Sequence, residues 1–223
     1  MTDIININIV KNSFYIANAM LFTTGIITFI EALRTKDEKF RHIMNIETCI
    51  SIIASYFYCK FITMIDSEEI DYDKINIIRY TDWFISTPFM LLALGLVLTY
   101  NLDISFKFKS FLIMVLLNFG MLIFGYLGEI KKINKGFATV GGFIMFAFLF
   151  YYIYSRFVKN KKNIQNTFIF FVFIIIWGIY GIAYLAEPKL KNLIYNILDV
   201  FSKCFVGIGF WAYFTKIFST KNT

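Results

Sequence analysis

Four charged residues interrupt long apolar stretches of the sequence, in two closely spaced pairs. Arg79 and Asp82 are three residues apart, and Asp199 and Lys203 are four residues apart. On a helix, each pair would share one face, and the formal charges of the four residues cancel. An apolar site favours the neutral amine, which condenses with carbonyl compounds, and a protonated imine needs carboxylates nearby. The pattern therefore predicts a Schiff base on Lys203, with Asp82 and Asp199 as counter-ions.

A purely structural role is the alternative for these charges, namely two helices joined by ion pairs. Ionisable residues within a membrane helix cost about 2.5–3.5 kcal/mol each and are usually both paired and functional. Lys203 also has apolar neighbours, which a surface ion pair would not require. Aromatic residues could enclose a flat conjugated ligand here: Trp83, Trp177, Tyr180 and Tyr184. Each of these could equally be ordinary core packing.

The composition indicates which elements must position these residues. The chain has 223 residues, of which 58% are hydrophobic, and its mean hydropathy of +0.65 is typical of a membrane protein rather than a soluble domain. Apolar runs of about 20 residues or more can cross a bilayer as helices. Seven such runs predict a single all-α domain, residues 1–223, folded as a seven-helix bundle: 12–34, 41–64, 75–99, 107–128, 134–157, 164–186 and 189–218.

Charge and cysteine usage exclude other classes of protein. The net charge of +7 comes from short basic clusters between the apolar runs, which argues against a nucleic-acid-binding face. Cys49, Cys59 and Cys204 have no paired spacing, and His42, the single histidine, lies at a segment edge. We therefore expect neither a metal site nor a disulfide framework, and we expect the three thiols to be buried and inert.

The distribution of basic residues predicts the orientation. Seven spans place the termini on opposite sides, and the side that includes the C-terminus holds more of the lysines and arginines, such as those in 34–41 and 156–162. The positive-inside rule assigns that side to the cytoplasm. The acidic loop at 66–73 and the N-terminus are then expected outside.

Several segments resemble those of microbial rhodopsins. Residues 79–88, RYTDWFISTP, resemble the third-helix signature of that family, and residues 198–203, LDVFSK, resemble its retinal-lysine segment. The sixth-helix pattern is similar in 177–184, WGIYGIAY, and the end of the fourth helix in 125–129, GYLGE. The resemblance covers nearly the whole chain and implies that all-trans retinal forms the Schiff base on Lys203.

The resemblance also implies roles for other residues. Asp82 would be the primary proton acceptor, Asp199 the second counter-ion and Arg79 a gate toward the outside, while the hydroxyl of Ser86 would assist proton transfer. Tyr58 and Tyr180 would hydrogen-bond Asp199. The residues expected to line the pocket or face it are Trp83, Thr87, Met90, Met121, Trp177 and Tyr180, with Thr87 facing Asn118.

One departure from the family pattern affects the mechanism. Proton-pumping relatives carry a carboxylic proton donor eleven residues beyond the acceptor, about 16 Å along the helix, but this chain has Ala93 there. Glu47 on the second helix is expected to face Ala93 and could take the place of the missing donor. An isolated carboxyl in apolar surroundings stays protonated, which is the state that a proton donor needs. Alternatively, Glu47 is a helix-end carboxylate paired with Lys39, Arg41 or His42.

The short chain and a donor candidate on the second helix resemble the second group of viral rhodopsins from large DNA viruses. In that group, an arginine and a glutamate six residues apart, like Arg41 and Glu47, are associated with the central channel of a pentamer and with the donor role. The resemblance implies a homo-oligomer, specifically a pentamer, in a host cell membrane.

Three functions fit these residues. A light-driven outward proton pump is favoured, because Asp82 is ionisable and Glu47 can serve as donor. A light-gated cation channel is the alternative, because the third-helix donor is missing and Arg41 and Glu47 could form rings. A photosensor is the third, although no signalling domain is evident. The expected partners are retinal, the lipid bilayer and protons or other small cations, with no enzymatic activity.

Overall fold

The computed structural model describes residues 6–215, which form seven long helices and no strands. Each helix is long and apolar enough to cross a bilayer. The predicted all-α, seven-helix membrane fold is therefore confirmed. The helices are α1 (Ile7–Arg34), α2 (Glu38–Ile65), α3 (Tyr72–Tyr100), α4 (Phe108–Glu129), α5 (Lys135–Phe157), α6 (Ile164–Ala183) and α7 (Pro188–Thr215).

The first three helices begin three to five residues before the predicted boundaries. Polar residues cap these early starts: Asn6 accepts a hydrogen bond from the Asn8 amide, Asp37 from the amides of Lys39 and Phe40, and Asp71 from that of Lys74. Such caps satisfy backbone donors outside the apolar run, so hydropathy alone does not detect them. At the other end, α6 stops at Ala183, and residues 216–218 of the predicted last span lie outside the described part of the chain.

The helices close into a ring with α3 and α7 against the interior. Neighbours in sequence pack side by side, and α7 contacts α1, α3 and α6. Large apolar side chains cover the outer surface, including Phe22, Leu33, Phe148 and Phe168, and suit contact with lipid. The two helices that carry the charged pairs are therefore those that face the centre of the bundle.

A π-helical segment, Val200–Phe205, interrupts α7 and contains Lys203. Such segments are rare, insert an extra residue into the helical turn and are frequent at functional sites. The hydropathy pattern predicted one regular helix here, because a π segment has no distinct signature in apolar sequence.

The expectation of three buried thiols is wrong for two of them. Only Cys204 is buried, whereas Cys49 and Cys59 lie on exposed faces of α2. A thiol behaves as a small apolar group, so it suits either the core or a lipid-facing surface. An apolar segment alone does not distinguish the two.

Candidate functional site

The four charged residues meet in the centre of the bundle. Lys203 Nζ lies 2.8 Å from Asp82 Oδ2 and 3.4 Å from Asp199 Oδ1. Arg79 Nη1 lies 3.4 Å from Asp199 Oδ2, and all four side chains are buried. Because isolated charges are very costly in a low-dielectric interior, each of these charges depends on the others. The predicted juxtaposition of α3 and α7 through these residues is confirmed.

The two aspartates have different surroundings. Asp199 accepts hydrogen bonds from Tyr58 Oη at 2.8 Å and from Tyr180 Oη at 2.7 Å, as the resemblance predicted, in addition to its contacts with Arg79 and Lys203. Asp82 bonds Lys203 through Oδ2, but its Oδ1 has no hydrogen-bond partner within residues 6–215. Ser86 lies close to the Asp82 carboxylate without forming a hydrogen bond of standard geometry. Asp82 thus keeps an oxygen free to accept a proton.

Arg79 is held by residues that the sequence did not single out. Its Nε donates to Asn192 Oδ1 at 3.1 Å, and its Nη2 donates to Asn196 Oδ1. The rings of Phe61 and Phe14 lie 4.8 and 5.3 Å from the guanidinium carbon, within cation–π range. Asn196 and Asn192 stand one and two turns, respectively, before Asp199 on the same face of α7, a spacing that could have identified them.

An apolar cavity adjoins Lys203 and extends between α3, α4, α5 and α6. The space within its lining, including open solvent at the mouth, is about 810 Å³. Lys203, Asp199 and Ser202 of α7 form part of its wall. The lining includes the expected Trp83, Thr87, Met90, Met121, Trp177 and Tyr180, together with Tyr80, Leu122 and Phe143. Tyr58 lies outside the lining, behind Asp199. An amine in the wall of an apolar slot fits a long apolar aldehyde such as retinal.

A cross-helix hydrogen bond stabilises the wall of this cavity. Asn118 Nδ2 of α4 donates to Thr87 Oγ1 of α3 at 2.7 Å, and Thr87 in turn donates to the Trp83 carbonyl at 2.6 Å. The expected contact between Thr87 and Asn118 is therefore present. It fixes the part of α3 that bears Trp83 beside Lys203.

Glu47 lies on the side of Lys203 that is away from Arg79. Its side chain is buried and forms no hydrogen bond or ion pair within residues 6–215. The alternative pairing is wrong, because Lys39 pairs with Asp103 at 3.7 Å and Arg41 donates to the Thr35 carbonyl. The carboxyl packs against Gly207 of α7, where an added Cβ would lie 3.0 Å from Glu47 Oε2.

A buried ion pair at the Arg79 end was missed by the sequence analysis. Lys191 Nζ of α7 lies 2.6 Å from Glu129 Oε1 at the end of α4, with the side chains 3% and 8% exposed. The Tyr184 ring is 5.6 Å from Lys191 Nζ, and its hydroxyl donates to the Gly125 carbonyl. Both charged residues lie at the ends of apolar runs, where the sequence does not show whether a side chain points into the bundle or out toward solvent.

Comparison with known proteins agrees with this geometry. Residues 10–217 match the family of bacteriorhodopsin-like proteins. The crystal structure of viral rhodopsin OLPVRII is similar at 48% identity and a TM-score of 0.89, covering 94% of this chain and 99% of that one. A green-light absorbing proteorhodopsin from Gamma-proteobacterium EBAC31A08 is 24% identical over 217 residues, which cover 89% of this chain and 84% of the relative.

A more distant structure shares the fold. The proton pumping rhodopsin AR2 from the marine alga Acetabularia acetabulum has a TM-score of 0.76 at 20% identity, covering 99% of this chain and all of that one. Together, the family match, the viral neighbour and the seven apolar helices identify the chain. It belongs to the bacteriorhodopsin-like family of microbial rhodopsins, resembles the viral rhodopsins of group II, and is an integral, multi-pass, retinal-binding protein of the light-driven ion-transporter class.

Proposed function

We propose that this rhodopsin is a light-driven outward proton pump in which Lys203 carries all-trans retinal as a Schiff base. The observation that carries the proposal is the 2.8 Å contact between Lys203 Nζ and Asp82 Oδ2, an ionisable carboxylate whose second oxygen is unbonded within residues 6–215. Retinal bound there would supply visible-light absorption and an isomerisation that redirects the proton on Nζ.

Asp82 would accept the proton that leaves Lys203 Nζ. A proton that leaves Lys203 Nζ has Asp82 Oδ2 within hydrogen-bond reach, and Ser86 lies close enough for its hydroxyl to assist. Asp199 remains the second counter-ion, because Tyr58, Tyr180 and Arg79 already occupy its oxygens. The two carboxylates therefore have separate roles despite their similar distances from the amine.

Glu47 would return the proton to Nζ. A buried carboxyl without a partner costs least as the neutral acid, which is the state that a donor must have. The Glu47 carboxyl packs against Gly207, one turn beyond Lys203 on α7, whereas Asp82 contacts Lys203 Nζ from α3. The proton is therefore accepted on one side of Lys203 and returned from the other. Glu47 thus substitutes for the carboxylic residue that Ala93 replaces.

The direction of transport follows from the proposed orientation, with the N-terminus outside and the C-terminus in the cytoplasm. Arg79, Asn192 and Asn196 then lie on the external side of Lys203 and form the exit, while Glu47 lies on the cytoplasmic side. Arg79 acts as the gate, because its guanidinium fills the space between Asp199 and the exit. Each cycle moves a proton from cytoplasm to exterior.

A light-gated cation channel is the second candidate, in a homo-oligomer such as the pentamer implied by the likeness to viral group II. In such a channel, the Arg41 and Glu47 side chains of the subunits would form rings around the shared axis. The position of Glu47 favours the pump, because its carboxyl packs against Gly207 of α7 within its own bundle. A photosensor would move no ions at all.

Light-induced pH changes in intact, retinal-supplied cells test the proposal. We expect the medium to acidify, and a protonophore or Asp82→Asn to abolish the change. Asp103→Asn removes a carboxylate that is 97% exposed in a loop and serves as the matched control, which should pump normally. A coloured protein that leaves the pH unchanged would support the sensor, and alkalinisation would contradict the proposed direction.

A further inference from the structure

A second carboxyl is buried on the Glu47 side of the bundle. Glu31 of α1 is only 8% exposed, and its Oε2 accepts a hydrogen bond from Trp211 Nε1 of α7 at 3.2 Å. Arg34, whose side chain is 73% exposed, lies 3.8 Å from the same oxygen. Glu31 therefore has one neighbour inside the bundle and one at the solvent boundary.

Buried hydroxyl groups lie between the positions of Glu31 and Glu47 on α1 and α2. Thr28 lies one turn before Glu31 on α1, and its Oγ1 is 2.9 Å from Oγ1 of Thr48, the residue next to Glu47 on α2. Thr24, one turn before Thr28 on α1, also borders Gly207, where an added Cβ would lie 3.3 Å from Thr24 Cγ2 and 3.0 Å from Glu47 Oε2. All of these side chains are buried. Thr28 and Thr48 also donate to backbone carbonyls of their own helices, whereas the Thr24 hydroxyl has no hydrogen-bond partner within residues 6–215. A buried hydroxyl without a partner costs free energy, so the Thr24 hydroxyl is not explained by packing alone.

We propose that Glu31 is the proton-uptake residue that refills Glu47. After Glu47 has given its proton to Lys203 Nζ, the Glu31 carboxyl gives its own proton to the Glu47 carboxylate through the hydroxyls of Thr28 and Thr48. A proton from the solvent beside Arg34 then restores Glu31, so one O–H bond breaks and one forms at each step. This inference rests on the donor role proposed for Glu47.

The surroundings of Glu31 suit such a relay. The charged groups near Glu31 come from two helices. Arg34 lies on α1, and Arg41 and Glu47 lie on α2, where Arg41 donates to the Thr35 carbonyl one turn beyond Glu31. The α7 residue in contact with Glu31 is Trp211, whose indole is uncharged. Trp211 is a positioning residue: its N–H holds the Glu31 carboxyl toward the interior.

Flash photolysis of the purified, retinal-loaded protein with a pH-sensitive dye tests the relay. In Glu31→Gln, we expect the loss and return of the proton on Nζ to keep their wild-type rates in the first turnover. Proton uptake from solvent should be at least about tenfold slower, because the refilling group is lost. Its rate should also become proportional to the bulk proton concentration, falling about tenfold per pH unit, more steeply than in the wild type.

Three further variants separate the relay from a structural role. Glu38→Gln, which alters an exposed glutamate near the same end, should leave uptake unchanged. Glu31→Asp should restore part of the rate. Trp211→Phe, which keeps an aromatic ring but removes the N–H, should slow uptake less than Glu31→Gln and provides the test if that variant does not fold.

The outcomes distinguish this inference from the proposed pump. Wild-type uptake kinetics and pH dependence in both Glu31→Gln and Trp211→Phe would overturn the role of Glu31, while slowed uptake in Glu47→Gln would leave the pump intact. A wild-type protein that takes up no proton after a flash would instead contradict the pump itself.

Discussion

Hydrogen-bond partners differentiate the charged residues at the centre of this protein. Asp82 and Asp199 both contact Lys203, yet four side chains surround Asp199, whereas Asp82 keeps a free oxygen. Spacing predicted both as counter-ions, and only the family resemblance ranked Asp82 as the acceptor, because spacing does not show what each carboxylate contacts. The distinction supports the proposed roles, with Asp82 as the proton acceptor and Asp199 as a fixed negative charge.

The covalent role proposed for Lys203 predicts a complete loss of colour when its side chain is removed. Lys203→Ala, expressed with added retinal, should show no visible absorption band, because no other buried amine within residues 6–215 lines the cavity. Far-UV circular dichroism would confirm that the helices form. Lys161→Ala, in an exposed loop, should retain the band. A Lys203→Ala protein that keeps its colour would disprove the linkage.

The acceptor role proposed for Asp82 predicts a spectral change. In Asp82→Asn, the amide no longer balances the positive charge on Nζ, so the visible band should shift to the red and Nζ should no longer lose its proton after a flash. Static and time-resolved absorption spectra measure both effects. An unchanged spectrum and photocycle would mean that Asp82 is not the counter-ion.

At the scale of elements, helix faces position the site. Asn192, Asn196, Asp199 and Lys203 lie along one face of α7, and Arg79, Asp82 and Ser86 along one face of α3. Hydrophobic runs and charge spacing therefore predicted both helices and their contact. The π segment around Lys203 and the Glu129–Lys191 pair depend on three-dimensional packing, so no local pattern revealed them. Asn192 and Asn196 share the face of Asp199, but the sequence does not show that their amides bind Arg79.

The close approach of α7 to Glu47 predicts an effect of Gly207→Ala. The new Cβ would lie 3.0 Å from Glu47 Oε2 and would displace the carboxyl. A displacement that costs about 1.4 kcal/mol in the transition state slows return of the proton to Nζ about tenfold. Gly209→Ala is the matched control, since nothing lies within 4 Å of its added Cβ. Equal rates in the two variants, measured by flash photolysis, would count against the donor role.

The Glu129–Lys191 pair ties the end of α4 to the start of α7. Glu129→Gln alone leaves a buried, unpaired ammonium and should destabilise the protein by about 3–5 kcal/mol, whereas Glu129→Gln combined with Lys191→Met should recover most of that loss. Thermal bleaching of the visible band reports the difference. The exposed pair between Lys131 and Asp73 is the comparison, where Lys131→Met should change little. Additive effects of the two buried substitutions would show that the pair is not coupled.

For the whole molecule, orientation decides whether the proposed cycle exports or imports protons. With Cys49 and Cys59 replaced by Ala, a cysteine introduced at Ser67, in the loop after α2, should react with an impermeant maleimide in intact cells. One introduced at Asn160, in the loop after α5, should react only after permeabilisation, because the basic loops are predicted to be cytoplasmic. The reverse pattern would place Glu47 on the external side and invert the proposed transport.

The most direct test of the central claim is light-induced current under voltage clamp, in retinal-supplied membranes, with the proton and cation gradients varied. We predict an outward current that persists against the proton gradient and does not reverse near any ion's equilibrium potential. A current that reverses with the imposed gradients would contradict the pump and establish a channel.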